Sequence, residues 1–385
     1  MIDFNFCKNC YGCGVCSNVC PENAIEMKQD ENGFIMPMID KIKCISCGLC
    51  DKMCPALASK EAGGNGKDVF LYVNPDRETL KTSASGGAFG ALAKTILDRN
   101  GYICGCVFDN NMKAEHIVSN NWSDVYRMQG SKYVQSDITQ CFDKVKQLIK
   151  QNKYVLFSGT PCQCAAMKKA VQFMSEKTYL FTVAIICHGV PSPKVWKLWK
   201  ESMEKRQKSP MIYANHRTKG KNYNTPQSCY EFENGTVCRM ATYLEDLYCY
   251  AFSTDLFLRN SCYNCRYKGD HIDSDVIIGD FFDFQEVERY KEGVSVLILK
   301  NQKAREMFYE LTYAAKPISY EAVVEKNGAL VKSIPYNTKR DSFFSELDKV
   351  GVVKAVRNNI PLAKFYTKKI LYEAQLFEKL KKIKG

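Results

Sequence analysis

The sequence lacks any apolar run able to span a membrane. Its longest, near Leu180–Cys187, falls far short of the roughly 20 residues a spanning helix needs. It also lacks the opening of an exported chain: Met1-Ile2-Asp3-Phe4 runs into cysteines with neither a basic start nor an apolar core. Neither a transmembrane segment nor secretion is expected, and a cytoplasmic protein is. General disorder is excluded, since 45% of the residues are hydrophobic and 25% charged. Repeats are absent apart from one pair of cysteine motifs. At 385 residues the chain exceeds one average domain.

What it has in quantity is cysteine. A total of 20 would mean a disulfide scaffold in a short secreted chain; in a reducing compartment it means metal or redox chemistry. Nine of the 20 fall before residue 55. The net charge of +12 is uneven: Lys349–Gly385 carries ten Lys or Arg against two Glu, and the rest is close to neutral. Basic charge alone is poor support for nucleic-acid binding, and none is expected.

Composition divides the chain. Residues 1–60 are cysteine-rich and lead into Glu61-Ala62-Gly63-Gly64-Asn65-Gly66-Lys67, a polar, glycine-rich linker that predicts a mobile N-terminal module. A body follows in two parts, 68–150 and 151–315, and then a basic, partly helical tail, 316–385. Strands are predicted at Val69–Val73, Tyr102–Phe108, Tyr154–Phe157, Tyr179–Cys187 and Val294–Leu299. Helices are predicted at Gly87–Leu97, Ile138–Lys150, Cys164–Phe173 and Ala304–Tyr313. Asn234-Gly235 marks a hairpin. The alternation predicts a mixed α/β body behind a small α+β module.

Cys10-x-x-Cys13-x-x-Cys16-x-x-x-Cys20-Pro21 recurs as Cys44-x-x-Cys47-x-x-Cys50-x-x-x-Cys54-Pro55. Four thiolates suit a [4Fe–4S] cluster. The close spacing wraps three around one face, and the fourth, before the proline, is carried to the other cluster. Cys10, Cys13, Cys16 and Cys54 are therefore expected on one cluster, and Cys44, Cys47, Cys50 and Cys20 on the second. Asn32-Gly33 supplies a hairpin turn between them. The pattern resembles the bacterial two-cluster ferredoxin fold. Zinc is the alternative, though it rarely uses a doubled four-cysteine run with proline after each. Cys7, three before Cys10, allows a shifted register; the proline rule leaves it spare.

Such clusters move single electrons, so the rest of the chain must accept them or pass them on. Ser83-Ala84-Ser85-Gly86-Gly87-Ala88-Phe89 puts small residues at a helix start, open to a phosphate or a flavin edge, or else forming a serine cap with tight packing. Gln129-Gly130-Ser131-Lys132-Tyr133-Val134 combines a turn, a hydroxyl, a cation and an aromatic ring, as a nucleotide site or a solvated loop would. Gly159-Thr160-Pro161-Cys162-Gln163 follows one predicted strand and Cys187-His188-Gly189-Val190-Pro191 another. If those strands are parallel neighbours, Cys162 and Cys187 share the carboxyl edge at which open α/β sheets bind ligands. Cys262-x-x-Cys265 has chelating spacing. The four together suit a third [4Fe–4S] cluster, the alternative being zinc or no metal at the Cys262 pair. Cys104, Cys106 and Cys164 carry no assignment, since free cysteines are commonly buried small hydrophobes.

Ser85-Gly86-Gly87-Ala88-Phe89, Gly130-Ser131-Lys132-Tyr133, Gly159-Thr160-Pro161-Cys162-Gln163, Cys187-His188-Gly189-Val190-Pro191, Cys262-x-x-Cys265 and Ile278-Gly279-Asp280-Phe281 occur in that order. Over about residues 68–315 the chain thereby resembles the coenzyme F420 hydrogenase/dehydrogenase beta-subunit family. The resemblance implies a flavoprotein that passes electrons between iron–sulfur clusters and an organic substrate or hydride carrier through FAD. Cofactor contacts are expected at Ser85, Gly86, Gly87, Ser131, Lys132, Tyr133, Gly159, Thr160 and Pro161. Lys132 is a candidate to meet a phosphate or reduced flavin, and His188, one of 4 histidines, to donate a proton. The implied partners are a one-electron donor such as ferredoxin and a small-molecule acceptor. The competing reading is an electron-relay subunit of a larger complex with no substrate of its own. A homo-oligomer is compatible with the sequence. The tail, with Phe365, Tyr366, Ile370, Phe377 and Leu380 among its lysines, reads either as a dock for a partner or anionic surface, or as a terminal helix packed on the body.

Overall fold

The computed structural model describes residues 9–57, 68–220, 226–282 and 292–373; Cys7 and the linker lie outside them. In the N-terminal module, strands β1 (Ile25–Gln29) and β2 (Ile35–Ile39) pair antiparallel with Ile25 opposite Ile39. Their turn forms because the Asp30 carboxylate accepts the backbone N–H groups of Asn32 (3.0 Å) and Phe34 (2.8 Å). Short helices, Val15–Asn18 and Leu49–Met53, begin inside the two cysteine motifs.

The strands that follow are β3 (Asp68–Tyr72), β4 (Tyr102–Phe108), β5 (Ala114–Ser119), β6 (Val155–Gly159), β7 (Leu180–Ile185), β8 (Met211–Thr218), β9 (Gln227–Phe232), β10 (Val237–Ala241), β11 (Val276–Asp280), β12 (Ser295–Leu299) and β13 (Ala315–Pro317). Eight form one mixed sheet in the order β13-β3-β12-β11-β7-β6-β4-β5. Within it β4, β6, β7 and β11 run parallel, while β5 and β12 oppose their neighbours. Strands from both parts of the body, and from the start of the tail, thus share one sheet. β12 is buried along its whole length, so it reads as an unbroken apolar run without alternation.

Helices cover both faces. Phe142, Val145 and Ile149 of helix Cys141–Lys150 and Cys164 and Met167 of helix Pro161–Val171 pack on one. Leu92 and Ile96 of helix Ala88–Leu97 and Phe308 of helix Gln302–Phe308 pack on the other. The antiparallel sheet β10-β9-β8 joins the helices Pro193–Gln207, Leu247–Ser253, Arg340–Val350 and Val352–Asn359 in a second core around Trp196, Tyr230, Tyr248 and Phe343.

Packing overrides the expectation of a mobile module. Cys13 and Val15 belong to the core beneath helix Cys141–Lys150, and Asn18 donates to Asp143 at 2.9 Å. Element boundaries also move for local reasons. The helix expected from Cys164 begins at Pro161, because Thr160 and Gln163 cap it reciprocally and proline suits a first turn; Cys162 therefore sits on the helix. The helix expected from Ile138 begins at Cys141, since the Asp137 carboxylate holds the Thr139 N–H in a turn (3.0 Å). The helix expected over Ala304–Tyr313 ends at Phe308 and tightens into a 3-10 turn. In the tail, Phe365 of helix Leu362–Glu373 is buried against Tyr250 (4.7 Å), while Tyr366 and Ile370 are exposed. Phe377 and Leu380 lie outside the described residues. Among the described residues no helix is long and apolar enough to cross a membrane.

Candidate functional site

The two cysteine motifs exchange their last members. Cys20 lies with Cys44, Cys47 and Cys50 around one small pocket walled by Ile25, Ile39 and Leu49. Cys54 lies with Cys10, Cys13 and Cys16, close enough for the thiols to raise one another's pKa. Burial is the larger cause and, with that repulsion, pushes Cys16 up to about 12. Backbone N–H groups of Gly12 and Ala24 donate to the sulfurs of Cys10 (3.2 Å) and Cys20 (3.3 Å).

A third group forms at the body. β6 and β7 are parallel neighbours with Gly159 opposite Ala184, so Cys162 and Cys187 follow strands that end at one edge. The loop carrying Cys262 and Cys265 meets them there. The Val190 N–H reaches the Cys262 sulfur at 3.4 Å, and Cys162 and Cys265 pack with Tyr11 and Tyr267. Burial first, then repulsion among the thiols, pushes Cys162, Cys187 and Cys262 up to about 12. Such thiols ionise when a cation compensates their charge. Among the described residues, no three His, Cys, Asp or Glu side chains converge closely enough for a single metal ion. A cubane holds its four thiolates farther apart, each on a different iron.

Beyond the carboxyl ends of the parallel strands lies a cleft with a cavity volume of about 530 Å³, the size of a cofactor or substrate site. It collects residues far apart in sequence: Ser85, Gly87, Ser131, Lys132, Tyr133, Gly159 and Thr160, together with Cys187, His188 and Asp280. The first turn of helix Ala88–Leu97 borders it, and its N-cap, Gly87, has no side chain with which to cap that turn. Gly86 and Pro161 are set back. A Cβ on Gly86 would stand 2.2 Å from the Tyr72 carbonyl and 2.4 Å from the Ser295 nitrogen, so this glycine lets its loop pack on β3 and β12. The Ser85 hydroxyl donates to the Val294 carbonyl at 2.8 Å.

Lys132 is neither solvated nor free. Its ammonium donates to the carbonyls of Arg127 (2.6 Å), Met128 (3.1 Å) and Gln129 (2.6 Å), closing the end of helix Trp122–Met128. Burial lowers its pKa to about 8. It brings charge to the cleft wall while its N–H groups serve the helix. His188 also lines the cleft, with Nε2 2.5 Å from Asp255 Oδ1 and its ring edge-on to Phe252 at 5.2 Å.

The motif reading missed the residues that hold these loops. Asn215 Oδ1 accepts the N–H groups of Ser131 and Arg217, both at 3.1 Å, and His216 Nδ1 accepts that of Tyr133 at 3.1 Å. β8 therefore fixes the Gly130–Val134 loop. Tyr133 and Tyr243 share a hydroxyl contact of 2.8 Å. His116 was missed as well. Its Nε2 meets the Ser158 carbonyl at 2.9 Å and so carries the proton, while burial lowers the ring pKa to about 4 and keeps it neutral. His116 Nδ1, an acceptor, and Gln129 Nε2, a donor, are buried at the cleft wall with no hydrogen-bond partner among the described residues. Only their rarity or motif position marked them; no spacing did.

Residues 152–325 match the model for the C-terminal part of the coenzyme F420 hydrogenase/dehydrogenase beta-subunit family, and residues 9–58 match that for a 4Fe-4S dicluster domain. The chain carries that beta-subunit domain behind a dicluster domain. It is an iron–sulfur electron-transfer chain of an oxidoreductase family. The beta-subunit match takes in β6 to β13 and all four cysteines of the third group; the Ser85 and Lys132 loops precede it. No curated protein matches the chain. Among solved structures, a chain of the xenon-derivatised F420-reducing [NiFe] hydrogenase complex from Methanosarcina barkeri is similar at 16% identity and a TM-score of 0.48, covering 70% of this chain and 90% of that one.

Proposed function

We propose that this chain is an FAD-dependent iron–sulfur oxidoreductase. Cys10, Cys13, Cys16 and Cys54 hold an inner [4Fe–4S] cluster, Cys20, Cys44, Cys47 and Cys50 an outer one, and Cys162, Cys187, Cys262 and Cys265 a third. FAD occupies the cleft, held by the Ser85–Gly87, Ser131–Tyr133 and Gly159–Thr160 loops. The residues fit it: the acceptor His116 Nδ1 and the donor Gln129 Nε2 suit the mixed polar edge of a flavin ring, and the helix start at Ala88, behind the N-cap glycine Gly87, suits a phosphate. When bound, a flavin supplies the exchange between single electrons and a hydride, which no side chain here provides. Lys132 adds positive charge to the wall, and Asn215 and His216 hold its loop in register. A one-electron donor such as ferredoxin feeds the module, and a small organic acceptor or hydride carrier takes the product electrons.

One observation carries this reading: Cys187 of the third group lines the same cleft as the two motif loops. Anaerobically reconstituted protein is expected to release about one FAD per chain on denaturation. It should contain roughly 12 iron atoms, and changing Cys262 and Cys265 to serine should remove about four. Absence of flavin, with no uptake on reconstitution, overturns the FAD reading; roughly eight irons overturn the third cluster. Oxidation of reduced methyl viologen by added small acceptors separates an enzyme from a relay subunit.

A further inference from the structure

The segment Arg259–Tyr267 does two things at once. It carries Cys262 and Cys265 of the third cysteine group, and it grips both stretches of chain that supply the inner group. Arg259 is only 4% exposed. Its Nε donates to the Cys10 carbonyl (2.6 Å), Nη1 to Gln135 Oε1 (3.1 Å) and Nη2 to the Ile35 carbonyl (3.0 Å). The Ser261 hydroxyl reaches the same Cys10 carbonyl at 3.0 Å. On the other stretch, the Tyr267 hydroxyl donates to the Pro55 carbonyl at 2.9 Å, and Arg266 bonds the Ala56 carbonyl. The Tyr11 and Tyr267 rings meet edge-on at 5.5 Å between the two groups. These contacts fall on Cys10, its neighbour Tyr11, and the two residues after Cys54.

The fork of Arg259 spans three acceptors, on the inner motif, on β2 and on the body, a task that suits a guanidinium and not a compact ammonium. Gln135 completes the joint: its Oε1 also accepts the Ile35 N–H at 3.1 Å, and its own N–H donates to the Pro191 carbonyl at 3.0 Å. The same residue stands beside the third group, since the Cys262 N–H bonds the Arg259 carbonyl at 2.9 Å.

We propose that Arg259 is the positioning residue of the electron path: it fastens the inner cysteine group beside the third, setting the order outer, inner, third, cleft, and its buried charge favours reduction at both flanking groups. The proposal rests on the reading that [4Fe–4S] clusters occupy the three groups. Each passage moves one electron, oxidising the inner cluster as the third is reduced, with no bond made or broken. Transfer between clusters falls steeply with separation, so a fixed contact sets its rate. Cluster potentials respond to nearby charge and hydrogen bonding.

The test uses the full, anaerobically reconstituted chain carrying Arg259→Met or Arg259→Lys, with an iron count and a dithionite redox titration followed by electron paramagnetic resonance. Unmodified protein is expected to show spin coupling between the reduced inner and third clusters, absent when Cys262 and Cys265 are serine. Arg259→Met should keep roughly 12 irons, lose that coupling, and shift both clusters to lower potential. Arg259→Lys should recover the potentials without the coupling, because it restores charge and not the fork. Full iron with unchanged potentials and coupling in Arg259→Met overturns the proposal alone. Roughly eight irons in unmodified protein overturn it together with the three-cluster reading. Should Arg259→Met fail to fold, Ser261→Ala and Tyr267→Phe each remove one hydroxyl bond from the joint. Weakened coupling in either supports the fixed contact, and unchanged coupling in both overturns it.

Discussion

The two cysteine motifs share one spacing and meet opposite surroundings. At the first, Tyr11, Cys13, Val15 and Cys16 are buried, and Cys13 and Val15 belong to the core of the body. At the second, Cys47 is exposed, Ile42 is 97% exposed and Ile45 62%. Even the backbone records the difference. Gly12 and Ser46 hold equivalent places with similar left-handed φ angles of 64° and 57°. A Cβ at Gly12 would lie 2.4 Å from the Ile35 carbonyl and 2.7 Å from Arg259 Nη1, whereas exposed Ser46 carries its side chain freely. Spacing thus decides what each motif can bind, and docking decides which one faces inward. The outer group is the one that lies nearer the solvent.

Exchanging those two residues gives the largest expected effect. Gly12→Ser adds left-handed strain and an overlap with Arg259, together about 3 kcal/mol, and loosens the module from the body. Ser46→Gly should stay within about 1 kcal/mol. Anaerobic denaturant unfolding checks both, and equal effects at the two positions would erase the distinction drawn between the motifs.

An effect of similar size, from His116 alone, separates module from body by pH. The module contains no histidine, while the body buries His116 with a pKa lowered to about 4 and His216 with one lowered to about 3. Burial is the first cause in each. An unfolded histidine binds its proton near pH 6.5, before the folded ring does, so stability holds above that pH and falls as the pH drops from there toward 4. At about 1.4 kcal/mol per pH unit, His116 accounts for a loss on the order of 3 kcal/mol. Tryptophan fluorescence reports the body, which holds all 3 tryptophans. A His116→Asn variant should flatten the acid limb; an unchanged slope would contradict the assignment.

The smallest effect belongs to the outer tip. Ile42→Ser should change stability by no more than about 0.5 kcal/mol and leave the iron content intact, because the side chain packs on nothing. A marked loss of stability would mean that the outer motif is covered as the inner one is.

Much of the fold could be read from local pattern. The strands at 69–73, 102–108 and 294–299 appear within a residue of their predicted limits, and the Asn234-Gly235 hairpin joins β9 to β10, because burial and turn chemistry are local signals. Helix starts shifted where side chains bonded the nearby backbone, as a cap at Thr160 and as a turn at Asp137. The cleft was half legible. Its motif loops stood out for their small and polar residues, and the parallel pairing of β6 and β7 followed from the strand–helix–strand order. Asn215, His216 and His116 stayed hidden, since they act through contacts to residues 40 or more positions away.

By itself the sequence determined the chemistry on offer: repeated cysteine spacing, proline after each fourth cysteine, and a strand–helix alternation that builds a mixed sheet. Those properties depend on neighbours within a few residues. Only the tertiary structure decided that the first motif turns inward, that Arg259 joins it to the loop of Cys262 and Cys265, and that Lys132 closes a helix while lining the cleft. Partners 120 to 250 residues apart leave no periodic trace in a single chain. Burial and long-range hydrogen bonding arise when the chain packs, and they assign similar motifs to different tasks.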